Sequence, residues 1–373
     1  MRVLFIPGWY PHRGQPDLGN FIQRHARAVA TLHPVTVLYA VSDPEVRSLE
    51  IASREEGMLT EHIAYFPPSK PGPLARKKAW TKLLDLHAAE HDVLHAHVLH
   101  ASLLPLRRTR RKLKLPVVIS EHWTGYQDGR AAALPYPIKL VMRAEAKAAF
   151  RICPVTEQLG TDMRKLGLKG QYEQVPNVVN TDLFVPPDAP LTHSGIRLLH
   201  VSTLLENQKN ISGMLRAFKR ALKDVPAMHL HIIGENAWTA TAEMAAAMDI
   251  PRSAISFAGP VGQDEVARSM AESDALLLFS NWENMPCVIS ESFSCGKPVI
   301  STRVGGIAEE VAPERGLLLE RGDEDGLVNA LLEFARTKED YNGEMIRQYA
   351  LDRYSVPGIA KSFEAIYQQA LRA

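Results

Sequence analysis

Ser280-Asn281-Trp282-Glu283-Asn284-Met285-Pro286-Cys287-Val288-Ile289-Ser290-Glu291, running on to Cys295-Gly296-Lys297-Pro298, is the stretch from which the rest of the chain can be read. A strand ends at Ser280. Pro286 suits the first turn of a helix, where its missing N–H costs nothing. Gly296 suits the position just past the helix end. Glu283 then lies in the loop at the helix mouth and Glu291 inside the helix. Eight helical residues separate two groups by at most about 12 Å along the axis. Carboxylates accept hydrogen bonds from pairs of hydroxyls. The segment Asn284, Met285, Pro286 and Cys287 opens the helix, where free N–H groups and the helix dipole favour phosphate oxygens. Either glutamate alone would be explained as a helix-start or solvated carboxylate. Strand, Pro, Gly and following strand in one register favour a ligand site.

Outward from this unit, short apolar runs alternate with amphipathic segments. Val3–Ile6, Val35–Tyr39, Ile63–Phe66, Val93–His97, Val117–Ser120 and Ile152–Val155 read as buried strands. Helical stretches lie between them, such as Asn20–Leu32, Leu74–Ala89, Ile138–Phe150 and Glu157–Leu166. After the rigid punctuation Pro186-Pro187-Asp188-Ala189-Pro190 the pattern restarts. Strands follow at Ile196–Val201, His229–Ile233, Ile255–Ala258, Ala275–Phe279, Pro298–Ser301 and Gly316–Leu319. The expected fold is therefore α/β: two doubly wound parallel-sheet, Rossmann-like domains, residues 1–185 and 186–354, facing each other across a cleft. The twin-domain layout lets the closing segment, 355–373, cross back onto the first domain. Its helix would carry Ile359, Phe363, Ile366 and Tyr367 on one face.

Composition narrows the function. The 373 residues hold 43 Lys+Arg and 42 Asp+Glu, a net charge of +1, which argues against a nucleic-acid-coating protein. Three cysteines are too few for a disulfide framework or a Cys-rich zinc site. The opening apolar run stops at Pro7, too short for a secretory signal, and no segment reads as membrane-spanning. A soluble cytoplasmic protein, at most peripheral on the inner face of a membrane, is expected. Neither G-x-G-x-x-G nor G-x-x-x-x-G-K-[ST] occurs, which argues against a Rossmann dehydrogenase and a P-loop NTPase.

Glu283 and Glu291 have the E-x7-E spacing of the retaining glycosyltransferases of family 4 (group 1), whose fold is GT-B. Cys295-Gly296-Lys297-Pro298-Val299-Ile300-Ser301-Thr302 and Gly305-Gly306-Ile307-Ala308-Glu309 resemble that motif's usual extension. Val175-Pro176-Asn177-Val178-Val179-Asn180-Thr181-Asp182-Leu183-Phe184 resembles its interdomain junction. The resemblance implies transfer of a hexosyl unit from a nucleotide-diphosphate sugar, UDP- or GDP-linked, to a hydroxyl of a glycan or lipid-linked acceptor. Cell-surface polysaccharide or glycoconjugate synthesis is the setting it suggests. Glu283 would orient the sugar and Glu291 the ribose.

Further candidates follow. Lys209, in a loop between strand and helix, is placed to neutralise a leaving diphosphate. The resembling family often has Gly-Arg at the preceding strand exit, where this chain has Ser202-Thr203. Gly19, with Asn20, opens the first helix and permits close backbone approach to a phosphate. His95 and His97 share a strand face. The resemblance assigns His97 to the donor sugar and leaves His95 to packing. His122, with Trp123 and Glu121, is expected on the acceptor side. Asp323-Glu324-Asp325 spells a D-x-D triplet, better explained as a helix start, so no metal or other cofactor is expected. Arg76–Lys78 and Arg107–Lys114 are basic runs that suit solvated helix faces or contact with an anionic membrane. They lack the interleaved aromatics of a nucleic-acid site. The competing readings are a nucleotide-sugar epimerase or a phosphorylase on the same fold, a non-catalytic nucleotide-sugar-binding protein, and a metal-dependent hydrolase using His95, His97 and His122.

Overall fold

The computed structural model describes residues 1–68, 72–87, 90–189, 192–234 and 238–373. The expected helix end at Ala88–Ala89 and the last residue of the Pro186–Pro190 punctuation lie outside them. The chain divides into two compact units: Met1–Val178 with Val356–Ala373, and Val179–Ser355. The chain thus changes unit at Val178–Val179, ahead of the proline-rich segment, and returns at Ser355–Val356.

In the first unit seven strands run β1 (Val3–Pro7), β2 (Val35–Ser42), β3 (Glu50–Glu56), β4 (Leu59–Phe66), β5 (Val93–His97), β6 (Val117–Glu121) and β7 (Arg151–Pro154). Their order in the sheet is β3-β4-β2-β1-β5-β6-β7. All neighbours are parallel except β3 and β4, which form an antiparallel hairpin turning at Gly57 (φ 59°). Fully buried strands such as Val3–Pro7 read as unbroken apolar runs because helices cover both faces. β3 escapes such a reading: Glu50-Ile51-Ala52-Ser53-Arg54-Glu55-Glu56 is an exposed, charged edge. The helix Leu99–Leu113 is also unexpected, because Pro105 sits inside it.

The closing helix, Val356–Arg372, belongs to this first unit. Ile359, Phe363, Ile366 and Tyr367 are buried in the same cluster as Val3, Phe5, Ile22 and Val93. Tyr367 also hydrogen-bonds His95 Nδ1 at 2.6 Å.

The second unit holds β8 (Ile196–Ser202), β9 (Met228–Gly234), β10 (Ile255–Ala258), β11 (Ala275–Leu278), β12 (Val299–Thr302) and β13 (Gly316–Leu319). Their order is β10-β9-β8-β11-β12-β13, all parallel. The strand order reverses between β1 and β5 in one sheet and between β8 and β11 in the other. In doubly wound sheets such a reversal sends the adjoining connections to opposite faces, and ligands bind at the carboxyl edge there.

Candidate functional site

At the second unit's switch point, two loops are stitched together. The loop leaving β8 continues into the short helix Glu206–Lys209, and the loop leaving β11 continues into the helix Cys287–Ser294. Asn281 N–H donates to Gln208 O at 2.7 Å, and the Asn281 amide donates to Asn207 O at 3.0 Å. Lys209 Nζ thereby meets Glu283 Oε1 in an ion pair, with only 10% and 6% of the two side chains exposed. Gln208 Nε2 lies 3.4 Å from the other Glu283 oxygen. Two residues 74 apart in sequence, expected to act on different parts of a ligand, are direct partners.

The Glu283 backbone is fixed from the opposite side. Gly305 (φ 52°) lies so close that an added Cβ would stand 1.8 Å from Glu283 O. Gly306 N–H donates to Asn284 O at 2.9 Å, and the Thr302 hydroxyl donates to Ser280 O at 2.7 Å. Gly305 and Gly306 belong to the sequence motif without standing out there as site residues. Their signal was the Gly-Gly pair itself, which admits a backbone at closer range than any side chain allows.

The β8 exit is locked by a hydrogen-bond chain. His200 Nδ1–H donates to Leu277 O at 2.8 Å, which leaves Nε2 to accept from the Ser202 hydroxyl at 2.8 Å. Ser202 Oγ accepts from Leu204 N–H at 3.0 Å. Burial pulls the His200 imidazole down to about 4, and the nearby Lys209 charge adds to this. Leu204 takes φ 57° and buries its side chain against Gly234. This chain stands where the resembling family carries Gly-Arg.

The helix carrying the second glutamate begins at Cys287, with Pro286 as the residue just before it rather than inside its first turn. It ends as expected. Gly296 has φ 71°, its N–H donates to Phe293 O, and Lys297 N–H donates to Ser292 O, a Schellman closure. Glu291 is 4% exposed, and Asn284 and Met285 are similarly enclosed. Asp323, first of the D-x-D triplet, caps the helix Glu324–Thr337 through Gly326 N–H, while Glu324 and Asp325 pair with Arg216 and Arg220. All three acids thus have partners within the protein.

The first unit's switch point is built from imidazoles. Gly8 N–H donates to His97 O at 2.8 Å, tying the ends of β1 and β5. Gly19 (φ 68°) precedes the helix Asn20–Val29, and an added Cβ would stand 2.7 Å from Trp9 O. His25 of that helix contacts Pro176 O through Nε2 at 2.9 Å. His97 Nδ1 lies 3.3 Å from His122 Nε2, and His122 Nδ1 lies 3.2 Å from Asn177 Oδ1. Burial lowers all three imidazoles, His25 to about 4, and the neighbouring rings push His97 and His122 further in the same direction. They are neutral at pH 7. His97 is fully enclosed, whereas His122 keeps 8% of its surface.

His25, His97 and His122 each offer a nitrogen within 4.8 Å of the others, and are the group among the described residues close enough to share a metal ion. His95 is not part of it, since Tyr367 and Ser120 occupy both its nitrogens at 2.6 and 2.8 Å. The set His95, His97 and His122 of the hydrolase reading therefore does not form. The Glu121 carboxylate is likewise engaged within the fold. It accepts from the N–H groups of Leu99, His122 and Trp123 and from the Tyr126 hydroxyl. Trp123 is 7% exposed and stacks on His100, ring centroids 4.2 Å apart.

The two basic runs differ. Lys77 and Lys78 are exposed on their helix. In the second run Arg110 is held by Glu145 at 2.7 and 3.2 Å, and Lys112 by Asp85 at 2.5 Å. No helix among the described residues is long and apolar enough to cross a membrane.

Comparison with known proteins bears on both units. The profile described as Glycosyltransferase Family 4 matches residues 18–183, and that described as Glycosyl transferases group 1 matches residues 195–337. Among curated proteins, N-acetyl-alpha-D-glucosaminyl L-malate synthase of Bacillus anthracis is 29% identical over 178 residues, covering 47% of this chain and 46% of that one. The chain spans about half the length of the curated relatives it matches first. Among solved structures, sucrose-phosphate synthase of Thermosynechococcus elongatus aligns over 100% of this chain and 99% of its own, with TM-score 0.77 and 18% identity. An Anabaena protein, HepE, solved in complex with UDP, aligns over 99% of this chain and 100% of its own, with TM-score 0.76 and 16% identity.

Proposed function

Since the chain belongs to the family 4, group 1 glycosyltransferases of GT-B fold, we propose that it transfers a hexosyl unit from a UDP- or GDP-sugar to a hydroxyl of a glycan or lipid-linked acceptor, with retention of anomeric configuration. The observation that carries this reading is the buried Lys209–Glu283 pair at the second unit's switch point. As the glycosidic bond to the donor diphosphate breaks, negative charge grows on the departing phosphate oxygens. Lys209 takes that charge, with N–H groups at the mouth of the helix Cys287–Ser294. Glu283, released in part from Lys209 by the competing phosphate, accepts hydrogen bonds from the sugar hydroxyls. Glu291 binds the ribose.

In the first unit, Gly19 and Asn20 approach the phosphates. His122, with its remaining exposed edge, faces the reacting sugars, and His97 acts through it as a positioning residue. The reaction proposed needs no cofactor, and its proposed setting is the cytoplasm, at most peripheral on the inner face of a membrane.

Thermal shift with UDP-, GDP- and ADP-sugars is the first test, since a ligand of the folded state raises the melting temperature. One donor should stabilise the protein, and NMR of the product should give the donor's anomeric configuration. The rate should be unchanged by EDTA. Stabilisation by no donor would overturn the reading, as would inversion for the retaining step. Donor binding with no turnover on any acceptor would favour the non-catalytic binder.

A further inference from the structure

A cavity of about 630 Å³ opens in the first unit, beside the ends of β1 and β2. That volume is in the range of roughly 300–1,000 Å³ typical of small-molecule sites. Its walls are hydrocarbon: Trp80, Leu103, Leu104, Pro105, Ile138 and Val141, from three different helices. Gly8 lets the helix Leu99–Leu113 close against β1, because a Cβ there would stand 2.5 Å from that of Ala101.

Two guanidinium groups join this apolar lining, Arg76 and Arg107. Arg76 makes no ion pair among the described residues. Arg107 has only a loose one, 3.9 Å from Glu145, whose stronger partner is Arg110 at 2.7 Å. The same helices expose large apolar side chains: Leu74 at 63%, Leu104 at 58% and Tyr136 at 63%. A bare sugar would fit such walls poorly, since hydroxyls buried without partners are costly. A neutral lipid would leave the arginines unused, whereas guanidinium groups match phosphate geometry. Exposed apolar residues clustered around a pocket mark a surface built to be covered.

We propose that this cavity holds the hydrocarbon end of a diphosphate-linked lipid acceptor, with Arg76 and Arg107 on the phosphates. The inference rests on the glycosyl-transfer reading and names its acceptor class. The acceptor sugar, joined to the outer phosphate, would present its hydroxyl at the carboxyl edge of the sheet, where His100 also lines the cavity.

Farnesyl diphosphate serves as probe, titrated into the full chain by calorimetry, with tryptophan fluorescence reporting on Trp80. Saturable binding is expected, about tenfold tighter than that of inorganic diphosphate or of the uncharged dodecyl maltoside. Leu104→Glu and Arg76→Glu, both at exposed positions, should each weaken it about tenfold without changing the affinity for UDP. Equal binding by Leu104→Glu and the parent would overturn the proposal, and so would equal affinity for the uncharged detergent. Failure to bind farnesyl diphosphate while a UDP-sugar still binds would sink the acceptor class and leave glycosyl transfer standing. Farnesyl diphosphate binding with this variant pattern, but with no sugar-nucleotide binding, would do the reverse.

Discussion

The two switch points share one topology and solve the problem of polar groups in a crevice in opposite ways. The second unit buries a formal charge pair, Lys209 with Glu283. The first buries His25, His97 and His122 with no charge, each imidazole held neutral by its surroundings. A buried ion pair is costly to halve and cheap to replace whole. A neutral imidazole cluster is insensitive to salt but sensitive to acid, because protonation places like charges side by side. The second unit is thus prepared to meet an anion, and the first to make hydrogen bonds without carrying charge.

Halving the pair is the most drastic way to break this contrast. Glu283→Leu and Lys209→Met should each destabilise the second unit by about 3–5 kcal/mol, by leaving one charge buried alone. The double variant should recover most of that loss in urea unfolding while transferring no sugar. If the single variants melt like the parent, the pair is solvated and the contrast is false. Glu283→Gln keeps a hydrogen-bonding partner for Lys209, and separates loss of charge from loss of contact.

Acid probes the other unit. The His25 imidazole titrates near 4 in the folded protein, below its ordinary 6.5, so the unfolded chain takes up the proton first. Stability present above pH 6.5 is therefore lost as the pH falls toward about 4, by up to about 3 kcal/mol for this residue alone. His97 and His122 shift in the same direction and steepen the loss. His200 contributes likewise in the second unit, so the informative measurement is a difference of slopes. Chemical denaturation of His25→Gln between pH 7 and 5 should show a flatter dependence than the parent. An unchanged slope would mean the cluster is already hydrated.

Smaller effects sharpen the geometry around Glu283. Gly305→Ala forces a Cβ against Glu283 O from a left-handed backbone, at a cost of about 1–3 kcal/mol. It should lower turnover as well, by displacing the carboxylate. Thr302→Val removes one hydrogen bond to Ser280 O, worth about 1 kcal/mol, and should leave donor affinity nearly intact. A larger effect on donor binding from Thr302→Val than from Gly305→Ala would invert the proposed support.

Elements whose burial shows in composition were legible in the sequence. Val93–His97 and Val299–Thr302 announce themselves as apolar runs, and Gly296 marks a helix end by its freedom to take positive φ. β3 was not legible, because an exposed edge of Glu, Ser and Arg carries no hydrophobic period. The partnership of Lys209 with Glu283 was hidden for a different reason. It depends on β8 and β11 lying side by side, a pairing that no local pattern encodes. His97 and His122 stand out in the sequence, but His25, whose ring packs against both, attracts no notice in its helix.

The helix Val356–Arg372 belongs to the first unit although the whole of the second precedes it in sequence. A chain growing on the ribosome at roughly 5–20 residues per second must add the whole of Val179–Ser355 before that helix exists. For roughly ten to forty seconds, the seats of Phe363, Ile366 and Tyr367 stand open on an unfinished first unit, and His95 lacks its phenol partner. Maturation of the first unit therefore waits on residues made after the whole of the second, and a nascent chain halted before Val356 would offer chaperones a sticky, incomplete sheet.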